Sequence, residues 1–198
     1  MRRAYPAGAP EALSPRQLFA ADRKRYYRDS WFTERAIYAV AVYRLGQWVD
    51  QTLSRIPVPP LRFLLRLPYQ LLGGLTQALT GVELLSGTEA GPGLRIHHGG
   101  NVVINPGVRI GANCLLRQGV TLGNLYEGGP NPVLGDGVEL GAYAQVLGGI
   151  TIGDGAKIGA MSVVLEDVPA GATAVGIPAR IIKRVNGATV EPTLGRPA

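Results

Sequence analysis

The residues with the clearest capacity for chemistry are His97 and His98, adjacent and the only histidines in the chain. A neutral imidazole has a pKa of about 6.5, so it is suited to taking a proton from a hydroxyl near neutral pH. The pair lies in IHHGGNVVIN, a glycine-rich break in the surrounding pattern. The competing structural reading is a histidine tolerated inside or at the end of a repeat. Two adjacent histidines do not supply the spaced ligands of a catalytic zinc site, so no metal is expected. The single cysteine, Cys114, excludes an internal disulfide and a cysteine-rich metal centre. It falls among apolar positions and reads as core. No GxSxG elbow, Walker loop or dinucleotide fingerprint occurs, and the many GxG strings read as turns.

What must position the histidines is a repeat of six residues. Stepping by six from Leu84 meets Ala90, Ile96, Val102, Val108, Cys114 and Val120, and again Val138, Ala144, Ile150, Ala156, Ser162 and Val168. A second column runs through Ile104, Ile110, Leu116, Leu122, Leu134, Leu140, Val146, Ile152, Ile158 and Val164, with His98 falling on it. Short parallel strands joined by tight turns have this period, three hexads making one coil of a left-handed β-helix. Residues 84–168 then make between four and five coils of about eighteen residues each. Such a solenoid explains 28 glycines in 198 residues, about twice the ordinary share, beside only 7% aromatics. Glycines serve the turns, and stacked aliphatics replace an aromatic core. The polar segment 124–133 keeps the phase on either side and reads as a loop thrown out of the solenoid.

The first third differs. Residues 1–66 hold 12 Lys/Arg against 5 Asp/Glu, whereas residues 67–198 hold 8 against 9. Ser14-Pro15 is a helix start, and Thr33 suits the cap of a second helix. That helix has an apolar stripe through Ile37, Val40, Ala41, the aliphatic stem of Arg44, Leu45 and Trp48. IPVPP (56–60) ends it, and a third amphipathic stretch runs from Leu61 to about Leu79. Arg62, Arg66, Pro68 and Gln70 argue against a membrane span there, but permit a helix lying on a surface or packed on a partner. The chain start lacks the apolar core of a signal peptide, which gives a cytoplasmic expectation. The organisation expected is a helical region (1–79), a β-helix (80–170), and a closing segment and tail (171–198) whose end, 188–198, is disordered.

The segments RIHHGGNVVINPGVRIG, RQGVTLGN, ITIGDGAKIGAMSVVLEDVPAGATAVGIPARI and, more loosely, YRLGQWV resemble the hexapeptide-repeat acyltransferases, in particular the serine acetyltransferase branch. The resemblance implies acetyl-CoA as donor and a homotrimer with active sites in clefts between neighbouring solenoids. It puts the catalytic histidine on His98 and its carboxylate partner on Glu83, which would fix the ring tautomer and stabilise the imidazolium. Gly123 and Asn124 fall where backbone N–H groups face an oxyanion. Ala142 and Ala160 fall along the pantetheine path, and Lys157, Arg180 and Lys183 suit the phosphates of CoA.

Departures from that pattern bear on the acceptor. The family's serine enzymes have Asp-His where this chain has His97-His98, and Arg-His where it has Pro130-Asn131. Asp29 is a loose match for a further family aspartate. With His97, Asn131 and Asp29 as the acceptor-side residues, the groups that pair with a zwitterionic amino acid are mostly missing. The expectation is therefore an O-acetyltransferase acting on a sugar or surface-polysaccharide precursor. Serine O-acetylation and a non-catalytic trimeric scaffold are the alternatives. No nucleic-acid partner is expected, and the basic helices suit a peripheral contact with a membrane.

Overall fold

The structure is a computed structural model, and it describes residues 13–183. Among the described residues four helices precede the strands: α1 (Pro15–Lys24), α2 (Ser30–Thr33), α3 (Ala36–Leu53) and α4 (Pro59–Thr80). Ser14 caps α1 in a reciprocal box with Gln17, with Pro15 at the first helical position. Thr33 ends the short α2 rather than capping α3.

Fifteen short strands follow, β1 (Val82–Leu84) to β15 (Ala179–Lys183), forming a parallel β-solenoid of about five coils. Of its three faces, the first is a sheet of Val82–Leu84, Val102–Ile104, Thr121–Gly123, Gln145–Leu147 and Val163–Val164, in that order. The second is a sheet of Glu89–Ala90, Arg109–Ile110, Val133–Leu134 and Thr151–Ile152, in that order. The third runs in order through Arg95–His97, Leu115–Arg117, Glu139–Leu140, Lys157–Ile158, Thr173–Gly176 and Ala179–Lys183. Each inward residue stacks on its counterpart one coil away, so Leu84, Ile104, Leu122 and Val146 form one buried ladder. Cys114 is fully buried in this interior, and burial raises its thiol pKa to about 11. The corner turns recur in register. Gly119, Tyr143 and Met161 all take left-handed backbone at one corner, with φ of 72°, 59° and 59°. Glycine enters that conformation without the Cβ clash that the other two residues accept.

Two of the coils carry extra residues. The segment between β7 (Thr121–Gly123) and β8 (Val133–Leu134) is the expected loop. The other insertion lies at the histidines. Arg95 and Val103 are eight residues apart, whereas their partners Leu115 and Thr121 are six apart. The ladder pairs Leu84 with Ile104, Ala90 with Ile110 and Ile96 with Leu116. The first coil thus belongs to the second column, and the step from Ile96 to Val102 crosses columns. His98 is not an inward position, because the inserted residues lift it out of the stack onto an exposed corner.

The helices cap the open edge of the first coil. Tyr43 Oη accepts from Ala90 N at 3.1 Å and donates to Thr88 O at 2.8 Å. Tyr26 Oη accepts from Ile96 N at 2.9 Å and donates to Ile96 O. Burial raises both phenols, Tyr43 to about 12. Asp22 accepts from Leu94 N at 2.8 Å. Arg44 donates to Ala90 O at 2.8 Å and Gly91 O at 2.7 Å and pairs with Asp22 at 2.8 Å. The whole Arg44 side chain is buried, not only its stem, at 2% exposure against 0% for Asp22. Burial pushes the Asp22 carboxyl up, against the pull of Arg44.

Removing one partner of such a pair strands the other charge. Arg44→Met is expected to lower stability by about 3–5 kcal/mol in urea unfolding. Adding Asp22→Asn should recover part of that loss, and strict additivity of the two changes would contradict the pairing. Cys114 should resist a thiol reagent in the folded chain and react once the chain is unfolded.

Candidate active site

His98 sits at the corner joining β3 (Arg95–His97) to β4 (Val102–Ile104), with left-handed backbone at φ 62°. Asn101 follows at φ 53° and Gly100 at 112°. The other corners of this edge have single left-handed residues, so His98 occupies an additional, strained turn. The corner closes tightly on the end of α4. A Cβ on Gly99 would lie 2.5 Å from the Thr80 carbonyl oxygen, and one on Gly81 would lie 2.9 Å from Gly100 Cα.

A cavity of about 420 Å³ opens at this junction, lined among others by Glu34, Arg35, Thr80, Gly81 and His98. Glu34 is buried at 6% exposure and pairs with Arg95 at 3.0 Å. Its second oxygen has no hydrogen-bond partner and lies 3.5 Å from His97 Nδ1. Arg95 donates to the same Nδ1 at 3.2 Å, an arrangement that leaves the ring proton of neutral His97 on Nε2. The two imidazoles are in contact, tilted at 45° with centroids 4.0 Å apart. Burial lowers the His97 pKa; His98 and Arg95 act the same way, and Glu34 opposes them.

The other expected residues are spread over the surface. Glu83 lies on β1, where its carboxylate accepts from Gln77 Nε2 at 3.2 Å rather than from His98. Ala142 and Ala160 lie at turns on the same edge as His98, one and two coils beyond Gln118. Ala160 and Lys157 line a shallow cavity of about 260 Å³, where Lys157 pairs with Glu139 at 3.1 Å. Gly123 and Asn124 begin the protruding loop at a different corner, and Asn105 donates to the Asn124 side chain at 2.9 Å. Asn131, near the far end of that loop, donates to Pro106 O at 3.0 Å. Asp29 is exposed at the start of α2, where its carbonyl, not its carboxylate, accepts from Phe32 N. The exposed Arg180 donates to Ala179 O, and Lys183 is the last residue of β15. The disordered end expected at 188–198 lies outside the described residues.

The family model for the bacterial transferase hexapeptide (six repeats) matches residues 131–166. The serine acetyltransferase of Helicobacter pylori J99 is 44% identical over 115 residues, 57% of this chain and 67% of that protein. The chain belongs to the serine acetyltransferase-like hexapeptide acyltransferases. Serine acetyltransferase from Synechococcus elongatus is 44% identical over 156 residues, 78% of this chain. The chain spans 59% of that relative's length. Among solved structures, the soybean serine acetyltransferase complexed with serine superposes with a TM-score of 0.70 at 31% identity. That match covers 85% of this chain and 70% of the soybean chain.

Within such an acyltransferase scaffold, sequence reasoning reached the histidine pair but missed Glu34 and Arg95. Glu34 lies on a helical connection 61 residues from its partner, beyond any local pattern. Arg95 precedes the pair on β3 and carried no distinguishing spacing.

The lowered His97 pKa has a direction for stability. A histidine held below its unfolded value contributes fully above about pH 6.5, and that contribution is lost as pH falls through the folded value. Unfolding midpoints should therefore decline from about pH 7.5 to about pH 5.5, and His97→Asn should flatten the decline. Parallel declines in the two proteins would refute the assignment.

Proposed function

We propose that the protein is an acetyl-CoA-dependent O-acetyltransferase with His98 as general base. The observation that carries this reading is the exposed, strained His98 corner beside a cavity, in a chain of this family. His98 removes the proton of the acceptor hydroxyl as its oxygen attacks the thioester carbonyl of acetyl-CoA. The tetrahedral oxyanion collapses with loss of the CoA thiolate, which takes up the proton. The products are an acetyl ester and CoA. Glu83 is the proposed carboxylate partner, reaching the ring by leaving Gln77 when substrates bind. The backbone at Gly123-Asn124 is the proposed oxyanion contact.

His98 and the loop bearing Gly123, Asn124 and Asn131 occupy different corners of one chain. A homotrimer that sets the His98 corner of one copy beside the loop of the next would join them. The pantetheine arm would then follow Ala142 and Ala160, with Lys157, Arg180 and Lys183 towards the CoA phosphates. An acetyl-CoA donor accords with a cytoplasmic location.

For the acceptor, the relatives favour L-serine over the saccharide precursor expected from the sequence, because the curated relatives and structural neighbours described above are serine acetyltransferases. A second reading keeps a hydroxyl acceptor without a zwitterionic head. It rests on His97, engaged with Arg95, standing where the family has an aspartate, and on Pro130-Asn131 in the loop.

Acetyl-CoA consumption measured against serine, homoserine and a panel of sugars decides between the acceptors. His98→Ala should reduce turnover by about 10²–10⁴-fold while leaving the assembly size unchanged. Full activity of that variant would sink the mechanism, and no activity of the native chain on any acceptor would favour a scaffold.

A further inference from the structure

Helix α4 leaves most of its apolar surface unburied. Its buried residues are Thr76 and Thr80, and Tyr69 on the same side reaches α3, where a Cβ on Gly46 would collide with its ring. An adjoining face carries Leu61, Leu64, Leu65, Leu71, Leu75 and Leu79, between 43% and 75% exposed. At 100° per residue these side chains fall within one stripe of about 120°. Both arginines of α4 lie off the stripe, Arg62 donating to Ile56 O and Arg66 pairing with Asp50. The stripe is continuous with an apolar cavity of about 510 Å³ between α3 and α4, lined by Tyr38, Val42, Leu72 and Leu75, together with Arg35.

The charge of the whole helical region points to the occupant of this face, and Arg35 stands beside it in the cavity lining. Among the acidic residues of 13–80, Asp22, Glu34 and Asp50 are each paired with an arginine, and Asp29 is exposed. Arg16, Lys24, Arg28, Arg35 and Arg55 are exposed. Apposing the helical regions of two copies would bring like charges together, whereas an anionic lipid surface attracts them. Leucines without charge among them supply the apolar area that enters the headgroup–acyl boundary. No described helix is long and apolar enough to cross a membrane, so α4 would lie in the plane of the interface.

We propose that the leucine face of α4 docks the protein onto anionic bilayers, with the solenoid held off the surface. This holds whichever hydroxyl is acetylated, and its test does not depend on activity. The full chain is floated with phosphatidylcholine vesicles with and without phosphatidylglycerol. Binding should require phosphatidylglycerol and weaken with added salt. L71E/L75E alters two exposed positions, so it should keep the native circular dichroism while binding about tenfold or more weakly. Lack of binding to the phosphatidylglycerol vesicles would overturn the proposal, as would undiminished binding by L71E/L75E. So would a smaller assembly of L71E/L75E than of the native chain, which would make this face a contact between copies.

Discussion

A stack of parallel coils has an unavoidable weakness at its ends, where a row of backbone N–H and C=O groups lacks a next coil. The arrangement of the rest of the chain follows from how those ends are closed. At the first coil, Tyr26, Tyr43, Asp22 and Arg44 reach from α1, α3 and the turn between α1 and α2 to bond Thr88, Ala90, Gly91, Leu94 and Ile96. At the last, β14 (Thr173–Gly176) turns back on β15 in antiparallel pairing. The helical region is therefore the lid of the solenoid. A buried ion pair that would cost stability elsewhere is sustained here by the backbone groups it also satisfies.

The same closure fixes the candidate site. Because α2 and α4 must reach the first coil, their ends meet its corner, bringing Glu34 and Thr80 beside His98. The two inserted residues place the imidazole there by removing it from the inward stack. Glycines at 81 and 99 let the corner and the helix end approach without a clash. Strain at His98, an incompletely bonded carboxylate at Glu34 and a cavity thus coincide at one junction between lid and solenoid. A regular coil offers no such junction.

The lid is also where packing departs from simple amphipathic expectation. An amphipathic helix ordinarily turns its apolar face inward. In α4 the buried residues are Thr76 and Thr80, whose hydroxyls bond carbonyls of their own helix, and the leucine stripe beside them is left exposed. The surface basicity of the helical region and this apolar face belong to the same element of the fold.

The sequence by itself determined the solenoid, its sheet-forming period, the loop at 124–133, the burial of Cys114 and the histidine pair as a break in phase. A hexad repeats its own local geometry, so each coil templates the next and the period is visible in one dimension. It did not determine the column change at Ile96, because both columns are apolar and a six-residue step passes from one to the other unnoticed. The pairing of Arg44 with Asp22, the placing of Glu34 at the histidines and the outward leucines were decided by tertiary structure alone. The first two depend on groups 22 to 72 residues apart meeting at the end of the stack. Backbone groups left unpaired at that end, rather than any local propensity, select which side chains turn inward.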